Sequence, residues 1–121
     1  MNGEASPWHV ESVDRQVVER LAALHTPNPK AVASGVDIIG DPHRETDGGY
    51  NWTVLSRARN VADVVPGSAV VMGSAVGNYL AKVVAWDFEA SDDDPMVVLD
   101  LVPLTPQAVE QALTRTRASA H

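Results

Sequence analysis

Between Val64 and Leu104, short apolar runs are separated at close intervals by residues that turn a chain, and this stretch limits the fold more than any other. Pro66-Gly67 leads into "SAVVMG", "SAVGN" into the long run "YLAKVVAWDF", and the acidic "EASDDDP" into "MVVLDLVPL". Runs of this length joined by tight turns pair with their sequence neighbours as an antiparallel meander. Upstream, "YNWTVLSR" (50–57) reads as a further strand, and "GVDIIG" (35–40) predicts a strand at about 35–39. Pro29 would equally suit the first residue of a short helix there.

Two helices are expected to bracket these strands. Ser12 suits an N-cap, with Val13, Val17, Leu21 and Leu24 on one face, and "TPNP" (26–29) stops the run. Thr105-Pro106 opens a second helix whose buried stripe would be Val109, Ala112 and Leu113. The expected fold is therefore α+β: a small antiparallel sheet or SH3-like barrel of four to five strands, with an N-terminal and a C-terminal helix. Barrel closure would remove the edges that such apolar strands otherwise offer to aggregation. A flexible segment is expected at 1–11, a single α+β domain at 12–118 and a tail at 119–121.

Charge and cysteine exclude several functions. With 16 acidic against 9 basic residues, the net charge of −7 has the wrong sign for a general binder of nucleic acid. The chain has no cysteine, which removes disulfides, thiolate zinc sites and a cysteine nucleophile. No basic start or apolar leader is legible, nor any run of 18 apolar residues, so a cytoplasmic protein without membrane contact is expected. Lysine is scarce (Lys30, Lys82) beside abundant Ala, Val, Asp and Arg, the bias of a GC-rich bacterial or phage genome.

The candidate chemistry is sparse. "DPHRETDGG" sets Asp41, His43, Glu45 and Asp47 at alternate positions, and Asp41, His43 and Asp47 are the set that would ligate a divalent cation. The spacing matches neither a zinc motif nor a calcium loop, and a polar surface loop explains it as well. Glu89 and Asp92–Asp94 read as a solvated hairpin tip. "GSAVG" lacks the following helix that a phosphate cradle needs. His43 is the one histidine placed for acid–base work, and no triad spacing accompanies it, so no catalytic residue and no cofactor are assigned.

Aromatic residues carry the remaining signal. Strand alternation puts Tyr50 and Trp52 on one face, and Trp86 and Phe88 on a face with Leu80, Lys82 and Val84. If Tyr50 and Trp52 face outward beside Arg57 and Arg59, they form an aromatic–arginine patch of the kind enriched at protein contacts. The simpler alternative places every aromatic in the core, which a domain this small needs to fill. The reading favoured is a non-catalytic binding or assembly module, contacting a protein partner or its own copies through a sheet face or edge. Two alternatives stand beside it: a small enzyme or ligand or metal binder using the 41–47 loop, and an acidic decoy of a nucleic-acid-binding protein.

Overall fold

The computed structural model describes residues 12–101. The expectations for residues 1–11, for the C-terminal helix and for the tail lie outside the described residues.

The first element among the described residues is α1 (Arg15–Leu24), which Asp14 rather than Ser12 caps by accepting a hydrogen bond from Gln16 N at 2.8 Å. Leu21 is its buried anchor, and Val13, Val17 and Val18 pack beside it on the main core. A second helix, α2 (Pro29–Ser34), then forms where the sequence left helix and strand open. Its local signals agree. Asn28 Oδ1 accepts from the N–H groups of Lys30 and Ala31, Pro29 sits where no donor is missed, and Gly35 closes the helix at φ 68°. A side chain at that left-handed position is strained by roughly 1 kcal/mol, so Gly35→Ala should lower the stability of unfolding in urea by about that amount. An unchanged midpoint would show that α2 does not end this way.

Five strands follow: β1 (Ile38–Ile39), β2 (Asn51–Val54), β3 (Ala69–Ser74), β4 (Gly77–Asp87) and β5 (Met96–Leu101). Their order across the sheet is β1-β3-β4-β5-β2. The expectation of a wholly antiparallel sheet is corrected at one place: β1 runs parallel to β3, with Ile38 opposite Met72 and Ile39 opposite Gly73. The other pairs are antiparallel. The parallel pair arises because the chain leaves β1 for the far side of the sheet, forms β2 there, and returns through a 3-10 turn (Val61–Val64) to enter β3 beside β1. A crossover of that length can lay two strands parallel, which a tight turn cannot.

The sheet curls into a half-barrel whose outer strands are stitched together. After β2 the chain turns through a 3-10 segment (Leu55–Arg57), and Ala58 forms an antiparallel bridge to Ile38. Arg59 N donates to Asp37 O at 2.8 Å, and Thr53 Oγ1 donates to Ile39 O at 2.7 Å. The outer side of β2 is covered as well, by a bridge between Glu45 and Asn51. Backbone groups at both outer strands thus find partners within the chain, which blunts strand addition there.

Two hydrophobic layers result. The larger lies inside the curl and holds Ile38, Val64, Met72, Val83, Val97 and Leu99, all fully buried, with Trp86 among them. The smaller lies on the outside of the sheet, where α2 and Val36 cover Val71 and Leu80. Because β3 is buried on both faces, its sequence is an unbroken apolar run rather than an alternation. Gly73 is required by this double packing, since a Cβ there would meet Val36 Cγ2 at 2.9 Å. Burial also pushes the Asp100 carboxyl above its usual range. The folded chain therefore holds that proton more tightly, and the contribution present in acid is lost as pH rises through the folded-state value.

The aromatic pairing of β4 is likewise corrected. The register between β4 and β5 slips between Val83, opposite Leu99, and Ala85, opposite Val98. The extra residue of this bulge reverses the alternation. Trp86 and Phe88 therefore join Ala81 and Val83 at the inner core, while Leu80 belongs to the outer layer. The two rings meet edge to face with centroids 6.3 Å apart.

Candidate functional site

The loop from Gly40 to Gly49 is polar, yet it is held firmly. Asn51 faces inward from β2, and its side-chain amide donates to Pro42 O at 2.7 Å and Arg44 O at 3.2 Å. Trp52 N donates to Arg44 O, and Thr46 N to Tyr50 O. Asp41 Oδ1 caps the turn by accepting from His43 N at 2.9 Å. These bonds lay Arg44 across the outward ring of Trp52, with the guanidinium carbon 5.2 Å from the ring centroid.

This arrangement makes one wall of an open groove of about 640 Å³. Trp52, Thr53 and Arg57 border it beside the 40–44 loop, Lys30 and Ala33 border it from α2, and the β3–β4 turn brings Ala75 and Val76. Val76, at the tip of the β3–β4 hairpin, is 68% exposed. Lys30 and Arg57 are both exposed, and among the described residues neither has a carboxylate within ion-pair distance. Asp41 is the acid in the lining, and its Oδ2 stands 4.0 Å from Arg44 Nε.

The residues singled out from sequence separate here. Trp52 and Arg57 meet at the groove, whereas Tyr50 is half-buried and does not line it. Arg59 is 8% exposed and turns inward to Asp37, its Nη2 3.6 Å from Asp37 Oδ1, so it forms no part of an exposed patch. Asp41 and His43 border the groove, and Asp47 is exposed without lining it. Among the described residues, no three His, Asp or Glu side chains gather where they could hold a metal ion. Sequence reasoning missed Arg44 and Lys30. Arg44 was legible only as one more charge in a polar loop, and nothing local says that α2 brings Lys30 to the groove that Trp52 borders.

A second hollow, between α1 and the pair Trp86 and Phe88, differs in its charges. Its cation, Arg20, pairs with Asp93 Oδ1 at 3.1 Å and also donates to Asp92 O. Asp94 accepts from Ser56 N at 2.7 Å and Ser56 Oγ at 2.9 Å. The acidic loop is thus tied to α1 and to the chain after β2, rather than simply solvated. Comparison of the chain with protein-family models, curated proteins and solved structures gives no match. Among the described residues no helix is long and apolar enough to cross a membrane.

Proposed function

We propose that this domain is a non-catalytic binding module that holds a protein partner, or another copy of itself, in the groove beside Trp52. One observation carries the reading: an acidic chain lines one groove with Lys30, Arg57 and Arg44, the last lying over the ring of Trp52. Among the described residues Lys30 and Arg57 have no carboxylate partner, and free cations beside an aromatic ring are what contact centres use, because Trp and Arg bury large area and bond directionally. The contact face is a groove beside β2, since the outer strands already have backbone partners. The groove size also suits a small ligand, and its lining by Asp41, Pro42, His43 and Arg44 keeps ligand binding through the 41–47 loop as a second reading. That reading expects a rise in thermal stability with one member of a metabolite panel.

A photo-crosslinking residue placed at Val76, in cells that make this protein, tests the proposal. A discrete crosslinked protein is expected, and Arg57→Glu or Trp52→Ala should remove most of it. Adducts that persist unchanged in both variants, or no adduct at all, would remove the groove as a contact site.

A further inference from the structure

We infer that the groove's occupant is an extended acidic segment of a partner protein, carrying carboxylates interleaved with small apolar side chains. The inference rests on the binding reading above and adds the chemistry of what is bound. The groove offers Lys30, Arg44 and Arg57 against a single acid, Asp41, although acids outnumber bases in the chain. Asp41 is engaged by His43 N and stands beside Arg44, so it opposes an incoming carboxylate less than a bare acid would. Guanidinium groups match carboxylates with paired donors, and Arg44 is already oriented by the Trp52 ring.

Much of the remaining lining is apolar or small, with Ala33, Ile39, Gly73, Ala75 and Val76 set beside the polar His43, Thr53 and Asn78. An extended chain directs alternate side chains to opposite sides, so a segment alternating acids with Val or Ala can satisfy both parts of the groove at once. The remainder of this protein is negatively charged and repels acidic partners at long range. Recognition is therefore local, which favours a short segment over a broad acidic surface. A polyanionic nucleic acid meets the same repulsion along far more of its length.

The probe is a capped, dye-labelled peptide of alternating Glu and Val, titrated by fluorescence anisotropy against the full chain, beside its Gln–Val counterpart. The Glu–Val peptide should bind at least about ten-fold more tightly, and its affinity should fall as salt rises. Lys30→Gln and Arg57→Gln alter exposed side chains without described carboxylate partners, so both variants should fold. Each should weaken binding by about three- to five-fold. Equal affinity for the two peptides would overturn the inference, as would indifference to both substitutions. Displacement of the peptide by equimolar glutarate would overturn it in favour of a small-anion site. Self-association of the chain that Arg57→Gln abolishes would make a second copy the occupant and overturn it too. Tight Gln–Val binding that Trp52→Ala destroys would sink the acidic preference while leaving the binding reading intact. Failure of the Val76 crosslink sinks that reading itself.

Discussion

Asp37→Asn should cost about 3 kcal/mol or more in unfolding free energy, a large share of the roughly 5–15 kcal/mol a domain of this kind has. The Asp37 side chain is fully buried, and its Oδ2 accepts from Val71 N at 2.7 Å while Oδ1 faces Arg59. Asparagine keeps an acceptor for Val71 but leaves the guanidinium of Arg59 buried without its counter-charge. The Nε and Nη2 atoms of Arg59 have no hydrogen-bond acceptor among the described residues, so little else compensates the cation. The same two residues join their backbones, Arg59 N to Asp37 O, where the half-barrel is stitched. Pairing the change with Arg59→Met removes the orphaned charge and should recover at least half of the loss. Urea unfolding of the two single variants and the double variant measures this. A double variant as unstable as the sum of the singles would mean that the two residues act independently.

Trp86→Ala should destabilise the domain by about 3–5 kcal/mol, and Trp86→Phe by about 1–2 kcal/mol. The ring is 5% exposed, fills the inner core and donates its indole N–H to Val64 O at 2.9 Å. That bond ties β4 to the 3-10 turn ahead of β3. Phenylalanine keeps most of the packing and leaves the carbonyl unpaired; alanine also leaves a cavity. Deleting Val84 should cost clearly less than Trp86→Ala, because it removes only the bulged residue and leaves Ala85 opposite Val98 and Trp86 opposite Val97 on the inner face. Equilibrium unfolding followed by circular dichroism checks all three. A Val84 deletion as damaging as Trp86→Ala would contradict this register for β4.

The contrast between these two sites shows what the residues alone could convey. The meander of β3, β4 and β5 was legible because each apolar run is bounded by its own turn residues, a signal confined to neighbours in sequence. The cap at Asn28-Pro29 and the stop at Gly35 are equally local, and only the competing strand signal of "GVDIIG" obscured them. The parallel pairing of β1 with β3 and the bulge in β4 were not legible. Both depend on which strand lies alongside, and one extra residue reverses a face without any mark in "KVVAW". Arg59 illustrates the same limit at the site. Its spacing from Arg57 suggested a shared outward patch, yet the 3-10 turn and the bridge at Ala58 rotate it inward to a buried carboxylate. The half-buried setting of Trp52 follows from the regular alternation along β2 from Asn51 to Val54, which turns it away from buried Asn51 and Thr53. Arg44 against its ring, and Lys30 on the same groove, came only with the fold.

Hydrogen exchange on the free chain, compared with the chain bound to the partner captured from Val76, tests the central claim most directly. The account predicts added protection at residues 40–44, 51–54 and 73–78, and none at the acidic loop 89–94. Protection concentrated at 89–94 or along α1, with the groove unchanged, would contradict it and would place the contact on the acidic face instead.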